Sequence, residues 1–185
     1  MRCLERLFRR ARLPLGMSEG FHPKPRMTFP LALALGIEGI DEVAEFELSE
    51  HCVAEDVLSR LRAEALPGLA FASAEVLPDG SKKAEVRRVA YEAPIPAKCR
   101  DGLAERIDRL MARSSYPVRR PKSDSTVDLR DQLEELTLHD EALAMRLRTG
   151  RGAKVSPRDV LTALGLTGLE QQGVCLTRTA VEIQS

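Results

Sequence analysis

The chain has no tryptophan, and only 4% of its 185 residues are aromatic. A surface rich in stacking rings for reading single-stranded bases is therefore not expected. Its four cysteines, Cys3, Cys52, Cys99 and Cys175, lie far apart, and no two form a C-x-x-C pair. That spacing speaks against a zinc site or an iron–sulfur cluster built by this chain, so no cofactor is expected in it. Scattered single cysteines fit a reducing cytoplasm, where they behave as small apolar residues. No apolar run reaches the length of a membrane span, and no membrane role is expected. The N-terminus reads as a charged helix, not a signal peptide.

Net charge is also lacking, with 28 basic against 28 acidic residues, but the charges are unevenly spread. Residues 1–30 carry seven Lys or Arg against two acids, and residues 31–80 carry two against eleven. Such asymmetry suggests a basic face for an anionic partner, a solvated charged face being the plainer alternative. At 43% hydrophobic and 30% charged, the composition is that of a soluble globular protein.

The most specific stretch runs from Ser18 to Phe29, SEGFHPKPRMTF. Before it, Leu4, Leu7, Phe8 and Ala11 at helical spacing predict an amphipathic helix over Arg2–Ala11. Pro23 and Pro25 stiffen the stretch and remove two backbone donors, and Gly20 permits a positive φ or a close approach. Strands are predicted over Met27–Leu35, buried on both faces, and over Glu42–Leu48, half-buried, with a turn at Gly36 and Gly39. A helix over Val53–Ala65 and a strand over Leu69–Leu77 follow, and Pro78–Lys83 reads as a linker.

The second half opens with a bulged strand over Val86–Ala93 and a helix over Cys99–Ala112. Short strands are predicted over Tyr116–Pro121 and Ser125–Leu129, and Gln132–Leu138 is open between helical turn and strand. Glu141–Arg148 alternates as a strand. Ser156-Pro157-Arg158-Asp159 is a strong helix start, with a capping serine and a reciprocal acid, and Val155 and Val160 can staple it. A last strand spans Gly173–Ile183. The economical architecture is α+β: two ferredoxin-like β-α-β-β-α-β units, 1–80 and 84–185, the first missing its opening strand. One compact domain is the alternative.

The segments LER…RRARLPL, SEGFHPKPR, VDLR and LRTG…KVSPRDVL together resemble the radical SAM-linked (radical SAM-associated) protein family, a bacterial domain of unknown function. The resemblance spans nearly the whole chain. It implies a domain fused to, or encoded beside, a radical SAM enzyme, and lacking the cluster motif itself. It also implies an N-terminal strand and a Ser-His loop ahead of the first helix, whereas Met1-Arg2 falls where the family already enters that helix. Without that central strand, two neighbours would lack a partner. Unpaired buried backbone groups cost about 1–3 kcal/mol each, so poor stability of the chain alone is expected.

Two basic stretches are candidate ligand sites. The first comprises Ser18, Gly20, Phe21, His22, Lys24 and Arg26. His22 is a candidate general acid/base or phosphate contact beside Lys24 and Arg26, the alternative being a histidine that orders the loop by hydrogen bonding. No second catalytic residue is identifiable, and His51 and His139 look incidental. The second comprises Arg148, Gly150, Arg151, Lys154 and Arg158, cations without an intervening acid around glycines and just before a helix start. A flexible basic hairpin is the alternative there. Arg119, Arg120 and Lys122 add a third basic patch. Phe21, Phe29, Phe46, Phe71, Tyr91 and Tyr116 are assigned mostly to the core. The functional expectation is a non-catalytic accessory or substrate-binding domain, with a radical SAM protein as partner and RNA as one candidate anionic ligand. The alternative is an enzyme acting on nucleic acid or a phosphorylated substrate through His22.

Overall fold

The computed structural model describes residues 2–78, 80–120, 125–150 and 154–184. In chain order the elements are α1 (Arg2–Arg10), β1 (Met27–Thr28), β2 (Ile37–Gly39), β3 (Glu45–Phe46), α2 (Ala54–Ala63), β4 (Glu85–Pro94), α3 (Leu103–Met111), β5 (Pro117–Arg120), β6 (Ser125–Asp128), β7 (Leu133–His139), β8 (Ala142–Arg148), α4 (Pro157–Ala163) and β9 (Leu176–Gln184). The protein is thus a mixed α+β structure. It divides into two compact units, Met1–Pro30 with Ala44–Lys83 and Leu31–Val43 with Ala84–Ser185. Segment 31–43, placed by the sequence in the first half, packs within the second unit.

The first unit is held by its two helices. Leu7 and Phe8 of α1 and Ala11 just after it are buried with Val57 and Leu61 of α2, joined by Leu13 and Met27. This is the stripe that helical periodicity predicts. The Phe8 and Phe46 ring centroids lie 4.9 Å apart. Of the expected α-β-β-α-β order the closing strand is missing among the described residues: the unit's named strands are β1 and β3, paired antiparallel through Met27–Phe46 and Thr28–Glu45. The predicted strand Met27–Leu35 is cut short because Pro30 lacks a donor and the chain then leaves the unit. Leu33 and Leu35 are exposed rather than buried. The predicted strand Leu69–Leu77 is irregular. Two of its carbonyls are held by a side chain instead of a neighbouring strand: the Arg62 guanidinium donates to the oxygens of Phe71 (2.8 Å) and Ala72 (2.6 Å).

The second unit is a five-stranded sheet in the order β2-β9-β4-β8-β7. β9, β4, β8 and β7 pair antiparallel, and β2 joins β9 in parallel. α3 follows β4, and α4 follows β8. The alternation read in Glu141–Arg148 holds, since Leu143, Met145 and Leu147 are buried and Arg148 is exposed. With Val89, Tyr91 and Ala93 of β4 they share one core with Leu103, Ile107 and Leu110 of α3 and Val160, Leu161 and Leu164 of α4. Each of the buried Val, Leu, Ile and Met side chains contributes about 1.5–3 kcal/mol. The bulge expected in the first strand falls between Val86 and Arg88. Gln132–Leu138 resolves as strand, and β5 and β6 form a separate hairpin. The glycines at 36 and 39 do not simply turn the chain, because Ile37–Gly39 pairs with Leu176–Arg178.

Candidate functional site

The first candidate stretch forms a braced hairpin within the first unit. Leu15 bridges Leu48 and Met17 bridges Pro25. Gly16 lies between two backbones: its N–H donates to the Glu47 carbonyl (2.8 Å), and its own carbonyl accepts from Arg26 N–H (2.8 Å). A Cβ there would lie 3.1 Å from the Glu47 Cβ, which is why glycine suits the position. Ser18 closes the loop twice. Its N–H donates to the Lys24 carbonyl (2.8 Å), and its Oγ accepts from the Lys24 N–H (3.0 Å). Prolines at 23 and 25 leave few backbone donors to satisfy.

At the tip Gly20 takes φ +121°, a conformation reserved for glycine, and a side chain there would meet open space. Phe21 is fully exposed, at 103% of its reference surface. It is not a core residue, contrary to the expectation for most of the aromatics. His22 and Lys24 are exposed too. The expectation that His22 orders the loop by hydrogen bonding is replaced by a different geometry. Among the described residues no hydrogen bond or ion pair reaches its ring, and Ser18 does that work. Arg26 is committed to Glu47, with Nη1 2.9 Å from Oε2. That hydrogen bond, then the charge of Glu47, raises the guanidinium pKa.

The second candidate stretch belongs to the second unit. Arg151 lies outside the described residues, as does Lys122 of the third patch. Arg148 is exposed, donates to the Asp131 carbonyl (3.1 Å) and sits 3.9 Å from Glu134. Gly150 and Lys154 are exposed. Arg158 makes a two-pronged pair with Glu170, both contacts 2.7 Å, and donates to the Leu35 carbonyl at 2.8 Å. It therefore fastens segment 31–43 and does not stand free for a ligand. The start of α4 is likewise self-satisfied. The Ser156 Oγ accepts from Asp159 N–H (3.3 Å), and the Asp159 carboxylate accepts from Ser156 N–H (2.8 Å), so the predicted capping box is present. The same carboxylate accepts from Arg120 at 3.1 and 2.5 Å. A carboxylate already occupies the place expected for a bound anion, which leaves Arg148, Gly150 and Lys154 as the open part of this stretch.

One buried cation was not anticipated. Arg178 of β9 is 1% exposed and meets Glu42 through both carboxylate oxygens, its Nε 2.7 Å from Oε1. It also donates to the Leu31 carbonyl (2.9 Å). Its place at an inward position of β9, beside Leu176, was the available signal. In the first unit, Arg6 and Arg10 line a shallow concavity with Cys3, Leu7 and Leu66, and Arg10 pairs with Glu64 at 2.7 Å. Among the described residues no group of three or more His, Cys, Asp or Glu is placed to hold a metal ion, and no helix is long and apolar enough to cross a membrane.

These features define a mixed α+β protein with a projecting hairpin in one unit and an open sheet in the other. The chain belongs to the family described as an uncharacterized protein conserved in bacteria (DUF2344), which it matches over residues 1–157. Neither a curated protein nor a solved structure matches it.

Proposed function

We propose that this protein is a cytoplasmic, non-catalytic accessory domain that works with a radical SAM enzyme, holding that enzyme or an anionic substrate of it, with RNA as the substrate class. The observation that carries the reading is the braced hairpin: Ser18, Gly16 and the two prolines fix a loop whose outermost side chains, Phe21, His22 and Lys24, face solvent. A loop held rigid while its tip has no role in the core is suited to recognition, because little order remains to be gained on binding. Among the described residues His22 has no hydrogen-bonded partner to tune or orient it, as an acid/base pair would require. The spatial order β9-β4-β8-β7, with a helix after the first and third strands in sequence, supports reading the second unit as ferredoxin-like with β2 added at its edge.

The test uses the full chain, a radical SAM enzyme encoded beside it and a single-stranded RNA, with binding followed by calorimetry. In the accessory reading Arg26→Ala weakens binding and His22→Ala does not. A turnover that His22→Ala abolishes while binding persists would establish an enzyme instead. Absence of binding to both probes would end the proposal.

A further inference from the structure

We propose that Phe21 is an aromatic anchor that inserts into an apolar pocket on a partner protein, that partner being the radical SAM enzyme of the reading above, on which this inference rests. The ring is fully exposed and contributes nothing to the core of its own unit. A single exposed apolar residue is ordinary on a protein surface, but this ring caps a braced loop and is free to meet a partner. The loop beneath it is pre-organised. Ser18 contacts Lys24 twice, Arg26 N–H reaches the Gly16 carbonyl, and Met17 bridges Pro25. An anchor on such a stem is ordered before it binds, and rigid aromatic anchors dominate protein interfaces. Gly20 beside it leaves its flank open, so the wall of a pocket can close on the ring.

Charge decides between a protein pocket and a nucleic acid. Tracking a phosphate backbone needs a surplus of cations around the stacking ring. Here Lys24 and Arg26 are matched by Glu19 and Glu47, and Arg26 is tied to Glu47 at 2.9 Å. The tip is thus an apolar ring in nearly neutral surroundings. That matches an interface in which an aromatic core is ringed by a polar rim.

The absence of tryptophan makes a direct test available, because Phe21→Trp installs a single indole reporter. Emission typical of solvent is expected for the variant alone, and a blue shift on addition of the radical SAM enzyme. Phe21→Ala is expected to weaken that complex about tenfold or more without changing the melting temperature of the chain. Wild-type binding that Phe21→Ala leaves intact would overturn the anchor and spare the accessory reading. No complex at all would overturn both. Quenching by single-stranded oligouridine without a blue shift would make Phe21 a base-stacking residue, and emission already blue-shifted in the chain alone would show the ring buried; either result overturns the anchor.

Discussion

Arg178 and Glu42 stand 136 residues apart in sequence and meet in a two-pronged ion pair whose cation is almost wholly buried. Burial alone would lower the guanidinium pKa, yet the bonds to Glu42 and Tyr91 together outweigh it and the net shift is upward. The pair, together with Arg178 donating to the Leu31 carbonyl, ties segment 31–43 to the start of β9. Removing Glu42 leaves the cation without a carboxylate, held by the Leu31 carbonyl and the Tyr91 side chain. Glu42→Ala is expected to destabilise the protein by about 3 kcal/mol in urea unfolding, the lower end for breaking a buried pair, because the Glu42 side retains some access to water. Glu42→Ala combined with Arg178→Met should recover part of that loss. Strictly additive single and double variants would show that the two side chains do not act together.

Asp159 carries a second prediction, in pH. Burial tends to raise its pKa, but hydrogen bonds from Arg120 and Ser156 more than offset this and the net shift is downward. A carboxyl depressed in the folded state stabilises the fold above its unfolded pKa of about 3.9 and loses that contribution as pH falls through the folded value. Unfolding free energy should therefore drop on acidification below about pH 4. Asp128, Glu141 and Glu170 are shifted the same way, so the slope is shared. Asp159→Asn is expected to cost about 2 kcal/mol at neutral pH, through the loss of charged hydrogen bonds, and to flatten the acid slope. Parallel wild-type and variant curves down to strong acid would refute the assignment.

What could be read in the sequence followed the length of each element. β8 announced itself because Leu143, Met145 and Leu147 alternate with outward residues over a full strand, and α4 because Ser156, Pro157 and Asp159 spell its cap. β2 was illegible: three residues, the last a glycine, show no periodicity, and their pairing partner lies in the last strand. Leu69–Leu77 misled in the opposite direction, since its apolar run packs Leu69 and Phe71 without any ladder. In the candidate site, the glycine and prolines marked the loop, but nothing local distinguished exposed Phe21 from Phe29, which packs against the core. Nor could spacing reveal that Arg158 and Arg120 spend their charge on Glu170 and Asp159.

The hairpin stem makes its own prediction. Gly16 is hydrogen-bonded to Glu47 on one side and Arg26 on the other, so its backbone cannot retreat from an added Cβ. Gly16→Ala is expected to cost about 1–3 kcal/mol as overpacking. Ser18→Ala removes the acceptor for the Lys24 N–H at an exposed site, where water replaces it, so about 0.5–1 kcal/mol is expected. Amide exchange separates the two effects. Lys24 should exchange faster in Ser18→Ala with the helices unaffected, whereas unchanged protection at Lys24 would show that the backbone pairing alone fixes the loop.

The open part of the second stretch can be tested through salt. Arg148 stays exposed despite its contacts with Asp131 and Glu134, and Lys154 uses its carbonyl, not its ammonium, to hold Arg120. Both charges are therefore available to phosphate, unlike those of Arg158 and Arg120. If RNA is the anionic ligand, affinity should fall linearly with salt on a log–log plot, with a slope of about 0.7 per phosphate contact for a single strand. Arg148→Ala with Lys154→Ala should then shallow the slope by about 1.4, two contacts' worth, and weaken all sequences alike. Arg158→Ala should leave the slope nearly unchanged while lowering stability, because its pair with Glu170 holds segment 31–43. The reverse pattern, with Arg158 setting the slope and Arg148 and Lys154 silent, would mean that the ion pair opens for the ligand and that the site centres on the start of α4.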